Sequence, residues 1–194
     1  MNKPSLIAAA IILTSCNSYY FPLILETPQA LIDQFTPYEL DQEYIDQQQY
    51  SFISAELDGL NATLILNAIN DGVFRWVGKG GITIKTYKGF VIETLGLSNN
   101  FQLVDPKHSI DHLQANDPRT LIYNLDDPML FELSVNIESI TATKKNLLAD
   151  LHADQINWDV KAHIVYSDKG MPVSSKQTLH PFLGDISLKF YFKY

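Results

Sequence analysis

The stretch DGVFRWVGKGGITIKTYKGFVIETLGL, residues 71–97, decides the fold. It breaks into three short runs rich in β-branched and aromatic residues, 73–77, 82–87 and 90–95, with glycines between them. Such runs suit a pleated surface, and the Asp-Gly, Gly-Gly and Lys-Gly pairs supply the positive φ that tight hairpin turns require. Three strands with connections this short pair antiparallel as a meander.

The same punctuation extends outward. Residues 50–57 form a strand that Asp58-Gly59 turns into a second at 61–69, and Asn70-Asp71-Gly72 turns that into the quoted block. Beyond a less regular region from Asp105 to Pro118, rich in Asp, His and Pro, strand signals return at 120–125. Residues 129–143 read as a long half-buried strand: Phe131, Leu133, Val135 and Ile137 alternate with Glu132, Ser134, Asn136 and Glu138. Residues 147–153 read as a helical turn, and strands at 156–166 and 186–192 close the domain. The fold class is all-β, an antiparallel meander with one or two short helices. Alternation of this kind suits a sheet wet on one side, with open edges that recruit a partner by strand addition.

The N-terminus has a different logic. Lys3 supplies a positive charge, residues 6–13 an apolar run, and Leu13-Thr14-Ser15-Cys16 reads as a lipobox, so residues 1–15 are expected to be a signal peptide cut before Cys16. Cys16 is the only cysteine, which excludes an intramolecular disulfide and places the thiol where a diacylglycerol would attach. Several acyl chains at about 0.8 kcal/mol per buried methylene make such an anchor effectively permanent. Asn17 and Ser18 follow, without the aspartate that retains enteric-type lipoproteins at the inner membrane, so the outer membrane is the expected location. Residues 16–26 read as a lipidated tether holding the domain away from the bilayer. Thr27-Pro28 then opens a helix with Leu31, Ile32 and Phe35 on one side, ended by Pro37.

Removing fifteen residues from the 194 leaves 179, enough for one all-β domain at 27–194 with a sizeable core. The formal charge moves from −8 to −9, because Lys3 is lost and no acid is. That balance argues against a nucleic-acid footprint, which needs basic patches. No later segment approaches the ~18 apolar residues of a membrane-spanning helix.

The order of Trp76, Gly81, Gly89 and Gly96-Leu97 within residues 71–97 resembles the YjbF/GfcB family, the group 4 capsule and exopolysaccharide lipoproteins. The likeness continues through Trp158 to Tyr166, Asp168 to Gly170, Ser175-Lys176-Gln177 and the strand from Gly184 to Phe192, and the lipobox is shared. Ser98 stands where the family often has proline, and residues 105–119 depart from its pattern. The resemblance implies a large bent antiparallel sheet, half-barrel or sandwich-like, and a non-enzymatic accessory role in capsule or exopolysaccharide production with an outer-membrane β-barrel partner. It brings no catalytic residues.

Several residues have the types that carry chemistry. His108, Asp111 and His112, with Asp105 nearby, could serve a metal or acid–base site, but in an acidic, turn-rich loop such residues are more often solvated. His152, His163 and His180 are scattered singly. No serine sits in a nucleophile elbow, and Gly78-Lys79-Gly80-Gly81 lacks the spacing of a phosphate-cradling loop. Neither a metal nor a cofactor is called for. Trp76, Trp158, Tyr87 and Tyr123 are candidate glycan or partner contacts, since sugar C–H faces stack on aromatic rings; Trp76, between Arg75 and Val77, also reads as core packing. The accessory role, with binding of a β-barrel exporter or its polysaccharide, competes with two alternatives. One is a polysaccharide-modifying enzyme sited at 105–119, and the other a lipoprotein that only stabilises a barrel.

Overall fold

In the computed structural model, residues 40–114, 120–126 and 130–193 are described. The expected signal peptide and lipidated tether, Cys16 and the helix expected after Thr27 lie outside them, as do residues 115–119 of the 105–119 region. A short helix α1 (Gln42–Gln47), whose N-cap Asp41 accepts from the Tyr44 N–H, precedes twelve strands. These are β1 (Phe52–Leu57), β2 (Leu60–Asn70), β3 (Val73–Val77), β4 (Thr83–Tyr87), β5 (Phe90–Leu95), β6 (Phe101–Leu103), β7 (Thr120–Leu125), β8 (Phe131–Ala142), β9 (Asn146–Ala153), β10 (Trp158–Tyr166), β11 (Pro172–Gln177) and β12 (Ile186–Tyr191). A second helix, α2 (Pro106–Gln114), joins β6 to β7.

Every neighbouring pair of strands is antiparallel, and β1 also pairs with β12 from Phe52↔Tyr191 to Leu57↔Ile186. The sheet is therefore a closed twelve-stranded barrel, not the open half-barrel or sandwich expected, and each of its strands has two partners. Closure corrects the expectation of open edges as well, because the backbone groups an edge would offer are spent on the β1–β12 ladder. Register shifts in β2, β8 and at β4–β5 give the local bends that closure needs. Three two-residue turns, Asp58-Gly59, Asp71-Gly72 and Lys88-Gly89, have positive φ at both residues, the geometry that matches strand twist.

Two further corrections concern elements. Residues 146–153 form strand β9 and not a helical turn: Leu147, Ala149, Leu151 and Ala153 are buried while Leu148 and Asp150 are exposed, a period of two. Within the region read as irregular, α2 turns Ile110 and Leu113 into the core. With twelve strands in a simple meander, turns alternate between two ends of the barrel. We call the end carrying α2 the helix end and the other the loop end.

The interior is filled, with Ile53, Leu64, Trp76, Ile84, Leu133, Val135, Ile164 and Leu188 forming part of one buried cluster. Trp76 is stacked on Phe74 and meets Phe190 edge-on, and its indole N–H donates to the Thr86 hydroxyl at 2.9 Å. At the helix end the β4–β5 turn presses across the interior onto β10 and β11. A Cβ on Gly89 would lie 2.6 Å from Ile164 Cγ2, and the Tyr166 hydroxyl donates to the Lys88 carbonyl at 3.0 Å. Buried Gln177 accepts from the Val91 N–H at 3.1 Å and donates to the Gly89 carbonyl at 3.3 Å and to Ser175 Oγ at 2.8 Å. This polar crosslink joins opposite walls, so the barrel is flattened there and not hollow.

Candidate functional site

The outward positions of the closing seam alternate as the pleat dictates: Phe52, Ser54 and Glu56 on β1, Ser187, Lys189 and Tyr191 on β12. Register sets Phe52 opposite Tyr191, Ser54 opposite Lys189, and Glu56 opposite both Ser187 and Asn61 of β2. Leu40, just before α1, overhangs this face, and between them lies a groove of about 390 Å³ lined by Leu40, Ser54, Glu56, Asn61, Ser187, Lys189 and Tyr191. Its size falls within the range of small-ligand sites, and it is polar.

The aromatic end of the groove is rigid. Tyr191 stacks on Phe52 at 4.6 Å with the rings 12° apart, and Tyr44 of α1 meets Phe52 edge-on at 6.3 Å. Burial there pushes the Tyr191 phenol above its usual range. Lys193 Nζ donates to the Ile45 carbonyl at 2.8 Å, and Ser51 exchanges hydrogen bonds with the Lys193 backbone, which ties the overhanging segment to the end of β12. Beyond the ring come one ammonium, one carboxylate, one amide and two hydroxyls. This set can hydrogen-bond a polyhydroxylated ligand while the phenol ring supports an apolar face.

None of the four aromatics singled out from the sequence lines this groove. Trp76 is wholly buried, and Tyr123 is buried edge-on to Phe101 and Trp158, with its phenol held far above the usual range by desolvation. Trp158 is half-buried against the core. Tyr87 lies apart at the helix end, where its hydroxyl donates to Asp111 Oδ1 at 3.3 Å and the Lys88 ammonium stands 5.5 Å from its ring centre.

His108 and His112 come together on α2, with His112 Nε2 3.2 Å from His108 Nδ1 and the rings edge to face. Asp111 is bound instead by Lys88 at 2.9 Å, whose hydrogen bond holds its carboxyl below the usual carboxylate value. Among the described residues, no group of three or more His, Cys, Asp or Glu has metal-holding geometry. His152 pairs with Asp159 across β9 and β10 at 2.8 Å, which raises its pKa, and His180 is buried in the β11–β12 connection, where its Nδ1 accepts from the Phe182 N–H. The groove residues left no motif in the sequence. Alternation marked Ser187, Lys189 and Tyr191 as one face of a strand, but their partners on β1 lie more than 130 residues earlier.

No family model and no curated protein matches this chain. Among solved structures it is similar to the crystal structure of the hypothetical lipoprotein YmcC from Escherichia coli, with a TM-score of 0.62 and 13% sequence identity over 88% of this chain and 95% of that one. At that identity the likeness is one of fold.

Proposed function

We propose that this protein is a lipid-anchored accessory factor of capsule or exopolysaccharide production, held at the outer membrane beside a β-barrel exporter and binding a segment of the polysaccharide in the β12–β1–β2 groove. The groove carries the reading. Tyr191 offers a fixed ring for a sugar face, Asn61, Ser54, Ser187 and Glu56 match hydroxyls, and Lys189 suits an acidic substituent. The lipobox at Cys16 supports the anchor, and the sequence resemblance to capsule lipoproteins supports the pathway. The fold shared with a protein described as a hypothetical lipoprotein agrees with the anchor.

The test is binding of purified surface polysaccharide to the full chain, compared with Lys189→Ala and Asn61→Ala. Each variant is expected to weaken binding about tenfold, the equivalent of ~1.4 kcal/mol, with unfolding unchanged. Unaltered binding by both would sink the groove assignment. A deletion strain with normal surface polysaccharide would sink the accessory role, and a pull-down with Cys16→Ala as control tests the barrel partner.

A further inference from the structure

On a part of the wall away from the groove, strands β7 to β10 set one histidine among carboxylates. Register places Thr120 opposite Asn136, Asn136 opposite His152, and His152 opposite Asp159. The side chains continue that row. The Thr120 hydroxyl donates to Asn136 Oδ1 at 3.0 Å, Asn136 Nδ2 donates to Asp154 Oδ2 at 2.9 Å, and His152 Nδ1 lies 2.8 Å from Asp159 Oδ1. Asp154, in the β9–β10 turn, also turns its Oδ1 toward His152 Nε2, 3.7 Å away. Glu138, the residue left without a partner where β8 bulges against β9, adds a third negative charge beside the ring. Among the described residues, no lysine or arginine is ion-paired with these three carboxylates, whereas lysines neutralise Asp71, Asp111, Asp168 and Asp185 elsewhere on the barrel.

The contacts fix the chemistry of the ring. An ionised carboxylate only accepts, so Asp159 keeps a hydrogen on Nδ1, and in the neutral imidazole the lone pair is then on Nε2. At 3.7 Å, Nε2 and Asp154 Oδ1 are too far apart for a hydrogen bond but close to the spacing of two atoms that share an ion. Zinc bonds of about 2.0–2.1 Å at a tetrahedral angle hold nitrogen and oxygen about 3.3–3.4 Å apart. A small rotation of Asp154, whose side chain is 76% exposed, covers the difference. Each of the two groups already has the outer hydrogen-bond partner that metal ligands use, Asp159 behind the imidazole and Asn136 behind the carboxylate. One nitrogen and one carboxylate oxygen suit zinc over calcium, which takes oxygen ligands.

We propose that His152 Nε2 and Asp154 Oδ1 bind a zinc ion on the outer wall of the barrel, with water in its remaining positions. Two protein ligands leave the ion exchangeable and open to a further ligand, unlike the closed four-ligand sites that hold folds together. The proton is its competitor, because the Asp159 hydrogen bond that orients the ring also raises the His152 pKa, with Asp154 and Glu138 adding to the effect.

The test titrates zinc chloride into the full chain in detergent, carrying Cys16→Ser so that no thiol competes, at about pH 8 where the proton competes less. Calorimetry is expected to show one ion per chain, and imidazole nitrogen NMR a shift at His152 Nε2 while Nδ1 keeps its hydrogen. Asp154→Asn and His152→Gln are each expected to weaken binding at least tenfold, Asp159→Asn about 10–100-fold through loss of the orienting partner, and His108→Ala not at all. No zinc uptake overturns the proposal, and so does uptake that survives Asp154→Asn or Asp159→Asn, or that His108→Ala removes, which would place the ion on α2. Equal affinity for calcium overturns it as well, since the cluster would then be only a patch of negative charge. Asp154 is exposed and lies in a turn, so Asp154→Asn decides the matter even if His152→Gln disturbs the barrel.

Discussion

Replacing Gln177 with leucine keeps the side chain's bulk and removes the crosslink between opposite walls of the barrel. Three hydrogen bonds disappear, and the Val91 N–H and Gly89 carbonyl lose this partner in a part of the interior that water does not reach. A buried backbone group left unmatched costs about 1–3 kcal/mol, while the Ser175 hydroxyl, which loses only a donor to its oxygen, gives up less. Leucine regains part of this through its apolar burial, so the net loss is expected to be about 2–4 kcal/mol. For a domain of this size that is roughly 5–15 °C in Tm. Urea unfolding of the full chain followed by tryptophan fluorescence reads the difference directly, because both tryptophans belong to the barrel. A loss below about 0.5 kcal/mol, the scale of an ordinary surface change, would refute the argument that this crosslink holds the walls together.

Gly89→Ala and Gly59→Ala form a matched pair at φ +87° and +77°. A Cβ at Gly59 meets nothing within 4 Å, so that change is expected to cost only the left-handed backbone, about 1–2 kcal/mol, whereas at Gly89 the clash with Ile164 and Pro172 adds to it; equal unfolding midpoints would refute the close approach. Trp76→Ala is expected to cost about 3–5 kcal/mol by thermal denaturation, as emptying a packed core does. The hydrogen bond that His152 Nδ1 donates to the Asp159 carboxylate raises the His152 pKa above 6.5, so its contribution to stability is fully present below pH 6.5 and is lost as pH rises through the raised folded value. NMR titration should show this imidazole titrating above a free histidine and returning toward 6.5 in Asp159→Asn; no change in that variant would remove the pair as the cause.

What stayed hidden in the sequence did so for reasons that can be named. Strand β11 escaped notice because its inward positions include Ser175 and Gln177, polar groups spent on the crosslink, so hydrophobic alternation fails where the interior is wired by hydrogen bonds. In β9 the consecutive Leu147 and Leu148, followed by Leu151, mimic the i, i+4 spacing of a helix, and only pairing with β8 and β10 on both sides makes it a strand. Among the described side chains of helix α2, Ile110 and Leu113 are the buried ones. Two apolar positions in a polar run are too few to set a period.

The sequence by itself determined what depends on neighbours in the chain. The Asp-Gly and Lys-Gly pairs impose positive φ, β-branched and aromatic runs favour extended backbone, and alternation sets which side chains face inward, so the all-β class and most of the hairpin meander followed from local chemistry. Only the tertiary structure decided that the sheet closes, because β1 and β12 lie more than 120 residues apart and their pairing is set by the accumulated twist and bulges of the ten strands between them. The groove exists only on that seam: Ser54 and Lys189 belong to two separate strands until closure sets them opposite each other.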